Sequence, residues 1–233
     1  MLDTVEITNY FDRHASRYDE LIETVAFQLD DAYRYLAEYV SSVHPTRTGL
    51  RVLELGIGTG KFTKYLLQAN PTAVVTGVDA SAQMIEIARH NLTQYQERLS
   101  FTQGEFPDSI PNMTFDCVVS AIALSFYGID YTKLFRRVHS VLDRGGVFAY
   151  AVNVAYNASS VDRVLAQMLR RQISVTAEQL LWLKGIGPNV QLYQVPADWH
   201  RATLSLGGFS DVDCIYLRHK LGIFSGTKPQ VAV

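Results

Sequence analysis

The stretch VLELGIGTG, residues 52–60, joins the end of an apolar strand to a turn that has glycine at every second position. Helical periodicity follows directly, over residues 61–68. Glycine allows a positive φ and lets a ligand approach the main chain where a Cβ atom would collide. Amide groups at the start of the following helix can bind a carboxylate or a phosphate. The stretch therefore predicts either a ligand site or, with no ligand, a simple tight turn.

The spacing of these glycines differs from that of a dinucleotide fingerprint. Gly56, Gly58 and Gly60 form G-x-G-x-G, which lacks the offset that brings a pyrophosphate to the helix. An NAD-dependent oxidoreductase is therefore a minor alternative. Glu54 lies in a strand that should be buried, where an unpaired carboxylate is costly. We expect it to meet a ligand ammonium or the amides of the turn.

The middle of the chain alternates short apolar strands with amphipathic helices. Five strands are predicted at residues 50–55, 73–78, 99–102, 115–120 and 147–152. Nearly continuous apolar strands that alternate with helices indicate a parallel sheet covered on both faces. Two later strands, 212–217 and 221–225, are too close for a helical crossover and predict a hairpin. The predicted class is α/β, a doubly wound and mostly parallel sheet with one antiparallel strand.

Two helical segments fall outside this alternation. Residues 1–39 are rich in tyrosine, and residues 156–196 include apolar runs around Trp182. Extra segments of this kind usually cover the active end of an open sheet. We therefore expect one domain, residues 1–233, with an N-terminal helical lid and a substrate-capping insert. The insert could equally form a dimer surface, so the expected assembly is a monomer or a homodimer.

Acidic residues follow the second and third predicted strands. Asp79 comes about twenty residues after the glycine turn, where a carboxylate reaches the ribose hydroxyls of a nucleoside. The alternative is that Asp79 caps the helix that begins near Ser81. Glu105 and Phe106 follow the third strand and reach the same edge of the sheet. Together with the turn, these residues favour a nucleoside site.

The composition argues against charged polymeric partners. The chain has 21 Lys and Arg against 23 Asp and Glu, so no long-range field attracts nucleic acid or anionic lipid. The first residues lack a secretory signal pattern, and no apolar run is long enough to span a bilayer. Cys117 and Cys214 have no Cys or His at metal-ligand spacing and are expected to be free thiols. We expect a cytoplasmic protein that binds no metal, nucleic acid or membrane.

In these features the chain resembles the class I S-adenosylmethionine (SAM)-dependent methyltransferases, particularly the small-molecule group with an N-terminal lid helix. The matching segments, in order, are NYFDRHASRYDELIE, VLELGIGTG, VTGVDASAQMIEIA, QGEFPDSIP, FDCVVSAIALSFYG and LFRRVHSVLDRGGVFAYAVN. The resemblance implies SAM as cofactor, S-adenosylhomocysteine (SAH) as product and a seven-stranded sheet of order 3-2-1-4-5-7-6 with strand 7 antiparallel.

The resemblance also implies the cofactor-binding residues. Three glycines would wrap the methionine part beside Glu54, Asp79 would bind the ribose, and residues after strands two to four would surround the adenine and the sulfonium. Tyr10 would fold over SAM together with Tyr18. The residues so implied are Glu54, Gly56, Gly58, Gly60, Asp79, Ala80, Met84, Glu105, Phe106, Ser120, Ala121, Ile122 and Tyr10.

Methyl transfer from a sulfonium is an in-line displacement that gains most from alignment and a dry pocket. A strong base is needed only for an acceptor such as a neutral hydroxyl. The candidate catalytic residues are His14, Tyr18 and Tyr127, with His200 as a further candidate base. Many relatives have a histidine near Ser125, and this chain has none there, so a base at that position is not expected.

The predicted function is methylation of a small organic acceptor, a specialised or partly apolar metabolite, by orientation and desolvation more than by a strong base. One alternative is a methyltransferase for RNA or protein, against which the balanced charge argues. Another is a SAM-binding protein that modifies SAM or does not turn over.

Overall fold

The computed structural model describes residues 4–25, 29–125, 129–155, 194–218 and 220–230 of the chain. Seven strands form a single sheet. In chain order they are β1 (Arg51–Leu55), β2 (Val74–Asp79), β3 (Leu99–Gln103), β4 (Phe115–Ala121), β5 (Leu142–Asn153), β6 (Ser210–Arg218) and β7 (Leu221–Thr227). Their order across the sheet is β3-β2-β1-β4-β5-β7-β6. β7 runs antiparallel to both β5 and β6, and the pairs from β3 through β5 are parallel. The predicted fold class and strand order are confirmed.

Helices cover the sheet on both faces. The α-helices of the described residues are α1 (Thr4–His14), α2 (Tyr18–Val25), α3 (Leu29–Val43), α4 (Lys61–Ala69), α5 (Ala82–Asn91), α6 (Tyr131–Val141) and α7 (Ala197–Leu206). Successive residues of a strand point to opposite faces, and β1 shows the consequence. Val52 packs in one core with α3 and α4, while Leu53 packs in the other with α6 and α7. Both faces are buried, which explains why the central strands are apolar throughout.

The fifth strand is longer than predicted. The sequence predicts it over residues 147–152, but β5 begins at Leu142 and its first part is irregular. Phe115 pairs with Leu142 and Cys117 with Val147, so extra residues bulge out of the strand. Gly145, with φ of 74°, takes a conformation in this bulge that favours glycine.

An ion-pair cluster joins β1 to β4 at the end of the sheet opposite to the carboxyl ends of these strands. The buried Asp116 carboxylate accepts hydrogen bonds from the Arg51 backbone N–H (2.8 Å) and guanidinium (2.9 Å), and it pairs with Arg47 (2.8 Å). Burial raises the pKa of Asp116, but the hydrogen bonds from Arg51 and the two positive charges outweigh it, so the net shift is downward. Asp116 therefore remains ionised and ties the neighbouring strands together.

No helix in the parts of the chain that the structure describes has the length and apolar character needed to cross a bilayer.

Candidate functional site

A cleft opens at the carboxyl ends of β1, β2 and β4. It encloses about 900 Å³, including space open to solvent. β1 and β4 are adjacent in the sheet although two other strands lie between them in the chain. Chain connections leave these two strands in opposite directions, and ligands of open α/β sheets bind at such a point. The fold itself therefore provides the crevice.

The glycine turn forms the floor of the cleft, and Gly56 and Gly58 have different structural roles in it. Gly56 has φ of 75°, and a Cβ atom there would lie 2.1 Å from the Ala123 Cβ. Gly58 has φ of 54°, but a Cβ atom on it would meet nothing within 4 Å. Gly56 is therefore required by packing against the segment after β4. Gly58 leaves open space beside the main chain.

Asp79 links this turn to the loop after β2. Its Oδ2 accepts from the Gly58 N–H at 2.8 Å, and its Oδ1 accepts from the Ser81 N–H at 3.0 Å. Burial raises the pKa of Asp79, with these amide bonds acting against it and the charge of Asp12 adding to it. Ser81 is the residue that caps α5, because its Oγ accepts from the Met84 N–H at 3.0 Å. Helix capping therefore does not account for Asp79.

Glu54 is buried beside the turn, with 1% of its surface exposed. Its Oε2 accepts a hydrogen bond from the Thr63 hydroxyl of α4, not from the turn amides. Burial raises the pKa of Glu54 to about 8, the Thr63 bond lowers it, and the nearby Asp79 raises it further. Within the described residues, Lys61 is the only Lys or Arg that lines the cleft, and it pairs with Asp30 at 3.0 Å. This carboxyl therefore has no cationic partner from the described chain.

The structure brings eight of the predicted cofactor residues, and Ile122, to the wall of this cleft. They are Glu54, Gly56, Gly58, Asp79, Ala80, Met84, Phe106, Ala121 and Ile122. Ile122 has φ of 74°, which is unusual for a β-branched residue, and its N–H donates to the Ala151 carbonyl at 2.9 Å. A strained backbone at the end of β4 thus forms one side of the cleft.

Four predicted cofactor residues lie outside the lining of the cleft. A Cβ atom on Gly60 would lie 2.6 Å from the Leu92 Cδ1, so that glycine serves packing. The buried Ser120 donates to the Leu55 carbonyl at 2.9 Å and so joins β4 to β1. Glu105 is exposed, and Tyr10 is buried with its ring 4.4 Å from that of His14.

Of the candidate catalytic residues, Tyr18 lines the cleft. Burial raises its pKa, and the charges of Asp19 and Asp79 add to this. His14 instead bonds through Nδ1 to the Tyr10 carbonyl at 2.8 Å and does not line the cleft. His200 is buried near Tyr150, and burial lowers its pKa to about 4. Tyr127 lies outside the described residues.

Three polar residues of the site were not predicted. Thr63 holds Glu54, Asp19 accepts from the Thr59 hydroxyl at 2.7 Å, and Asp12 accepts from the Ser81 hydroxyl. Helical spacing could have indicated Thr63, which follows the glycine turn by one turn of helix. Asp12 and Asp19 carry no comparable local signal. Among the described residues there is no group of three or more His, Cys, Asp or Glu side chains that could hold a metal.

Comparisons with known proteins agree with this architecture. A family model described as a methyltransferase domain matches residues 52–146. An uncharacterized methyltransferase of Anoxybacillus flavithermus (strain DSM 21510 / WK1) is 28% identical over 182 residues, which are 75% of this chain and 80% of the relative. A similar methyltransferase of Bacillus cytotoxicus is 27% identical over 179 residues, with the same shares of both chains.

Solved structures share the fold. Magnesium protoporphyrin IX methyltransferase from Synechocystis PCC 6803, with bound SAH, aligns with a TM-score of 0.71 and 16% identity over 97% of this chain and all of that one. The methyltransferase SibL aligns with a TM-score of 0.60 and 22% identity over 85% of this chain and 56% of its own length. These comparisons support assignment of the chain to the class I SAM-dependent methyltransferases, with SAM as the cofactor.

The two glycines of the turn should respond differently to alanine. Gly56→Ala combines a positive φ with a clash, so we expect it to lower the free energy of unfolding by about 2–4 kcal/mol. Gly58→Ala adds only conformational strain, about 1–2 kcal/mol. Urea unfolding of both variants measures the difference. Equal losses would contradict the assignment of Gly56 to packing.

Glu54 should make the stability of the ligand-free protein depend on pH. Its carboxyl binds a proton more tightly when folded, because its pKa rises from 4.5 to about 8. The free energy of unfolding should therefore fall as pH rises through this window, by at most about 1.4 kcal/mol per pH unit from this group. Glu54→Gln removes that contribution, so the variant should gain stability relative to wild type between pH 5 and 8.

Urea unfolding at several pH values measures the effect. Glu105→Gln, at an exposed glutamate, is the control and should follow the wild-type pH dependence. Parallel curves for wild type and Glu54→Gln would contradict the effect of burial on Glu54.

Proposed function

We propose that the cleft binds SAM and that the protein transfers the methyl group to a small, partly apolar organic acceptor. The observation that carries this proposal is the composition of one continuous cavity. Its floor has an open main-chain turn, the buried Glu54 carboxyl group and the partly buried Asp79 carboxyl group, whereas side chains of α1 and α2 give it an apolar wall. The turn and the carboxyl groups suit a nucleoside that carries an ammonium group, and the apolar wall suits an apolar acceptor.

The residues present fit SAM. Among the described residues Glu54 has no cationic partner, and a ligand ammonium would supply one. The open space beside Gly58 would hold the methionine chain against the main chain. Asp79 is oriented by the amides of Gly58 and Ser81, which leaves lone pairs to accept from the ribose hydroxyls. Ala80, Met84 and Phe106 would form the apolar surroundings of the adenine.

Orientation and desolvation are the means of catalysis in this proposal. When bound, SAM supplies an electrophilic methyl group whose transfer removes a positive charge. A closed, dry cavity favours that change, and the lining holds the acceptor in line. Tyr18 faces the cavity as a neutral phenol because burial raises its pKa, so it would donate a hydrogen bond and not act as a base.

The acceptor would occupy the side of the cleft that α1 and α2 form. Ile7, Phe11 and Ile22 line that side, and they offer no charge to bind a polyanion. Among the structural neighbours, one is a magnesium protoporphyrin IX methyltransferase and another is the pyocyanin biosynthetic protein PhzM, and both names refer to small molecules. We further propose that residues 1–39 act as a lid and that the insert 156–196, of which residues 156–193 lie outside the described part, completes the acceptor pocket.

Asp79→Ala should weaken SAM binding. The substitution removes the ribose acceptor and the bonds that orient Gly58 and Ser81, so we expect at least a tenfold loss of affinity by isothermal titration calorimetry. Asp108→Ala is the matched control, because Asp108 is an exposed carboxylate that pairs with Lys133. Unchanged affinity in Asp79→Ala would reject the proposed cofactor site.

The acceptor class can be tested by SAH release. We expect turnover with members of a panel of neutral or partly apolar metabolites, and none with transfer RNA or unfolded protein, because the apolar wall and the balanced charge favour small acceptors. Turnover with the macromolecules alone would contradict the proposal. Binding of SAM with no release of SAH from any acceptor would favour a binding protein without transferase activity.

A further inference from the structure

The N-terminal segment, residues 4–25, closes one side of the cleft. It consists of α1, a 3₁₀ turn at Ala15–Arg17 and α2. Among its described side chains, only Tyr10 and Ala15 are buried. Helices of 11 and 8 residues are marginal on their own, so their position depends on contacts with the rest of the protein. The polar contacts of the segment therefore matter for its position.

Two carboxylates of this segment bind the loops that form the floor of the cleft. The Thr59 hydroxyl, in the loop after β1, donates to Asp19 Oδ1 at 2.7 Å. The Ser81 hydroxyl, in the loop after β2, donates to Asp12 Oδ1. These two hydrogen bonds thus join the segment to two different loops.

These attachment points lie beside the proposed cofactor ligands. Thr59 follows Gly58 directly, and Ser81 is two residues after Asp79. Asp79 joins the two loops through its bonds to the Gly58 and Ser81 amides. The contacts thus form a continuous chain from Asp12 through both loops to Asp19, and the cleft lies between this chain and the side chains of α1 and α2.

We propose that Asp12 and Asp19 are positioning residues that fasten the N-terminal segment over the cofactor through hydrogen bonds to Ser81 and Thr59. The proposal rests on the proposed function, because it takes the cleft as the SAM site. Entry of SAM and exit of SAH require the segment to move away. Both bonds must then break, so they slow cofactor exchange.

Substitution of these aspartates by asparagine distinguishes a role in hydrogen bonding from a role in electrostatic attraction. Asparagine keeps Oδ1 as an acceptor for the hydroxyl but removes the negative charge. If the hydrogen bonds hold the segment in place, Asp12→Asn and Asp19→Asn should keep the wild-type rate of SAH dissociation, and the alanine variants should not. If the carboxylates act only by attracting the cationic cofactor, asparagine should behave like alanine, and that result would overturn the proposal.

The first measurement is the dissociation rate of SAH, by stopped-flow displacement. We expect the double variant Asp12→Ala with Asp19→Ala to release SAH at least tenfold faster than wild type, and the double asparagine variant to stay within about threefold of it. Glu20→Ala is the control, because Glu20 is an exposed carboxylate of α2 that pairs with Arg17 inside the segment. An unchanged rate in the alanine variant overturns the proposal.

The second measurement needs no ligand and separates this proposal from the proposed function. Hydrogen exchange of the ligand-free protein should be faster in residues 4–25 of the alanine variant, normal in the asparagine variant and unchanged in β1 and β4. Thr59→Val should reproduce Asp19→Ala and add nothing to it. Unchanged exchange in residues 4–25 of the alanine variant would contradict the proposed attachment of the segment. An effect of Thr59→Val that adds to that of Asp19→Ala would also contradict it. Failure of wild type to bind SAH refutes only the proposed function.

Discussion

The site depends on the position of one carboxylate, that of Asp79. It follows β2, yet its two oxygens accept hydrogen bonds from amides of two loops, those of Gly58 and Ser81. Ionised acceptors make strong bonds to amide groups, so this side chain sets how the loop after β1 lies against the loop after β2. The open space beside Gly58, the cap of α5 and the attachment of α1 all follow from that arrangement.

The electrostatics of the cleft suit its cofactor. The buried Glu54 and the partly buried Asp79 both have raised pKa values, and the one described cation of the lining, Lys61, pairs with Asp30. Such an environment disfavours a second anion and favours a ligand with positive charge. SAM carries a sulfonium and an ammonium, which suit such an environment.

The sheet and the N-terminal helices, which together form the cleft, differ in the contacts that hold them in place. The sheet, with apolar strands buried on both faces and Asp116 tying β1 to β4, is a rigid base. Among the side chains of residues 4–25 whose burial is described, only Tyr10 and Ala15 are buried, and the segment contacts the base through hydroxyl-to-carboxylate hydrogen bonds. The sheet can keep the cofactor-binding groups in place while the N-terminal helices move. Enzymes that enclose their substrates commonly combine a stable core with a mobile lid in this way.

The sequence alone determined the doubly wound class, the glycine turn and the acidic residue that ends β2, because hydrophobic periodicity and strand-to-helix motifs are local signals. It also placed most of the cleft lining, since carboxyl ends of parallel strands meet at one edge of the sheet. Only the tertiary structure decided that Gly60 packs against Leu92, that Thr63 holds Glu54 and that Asp12 reaches Ser81, 69 residues away. These contacts depend on the angles at which helices pack on the sheet, and side-chain spacing along the chain does not encode those angles.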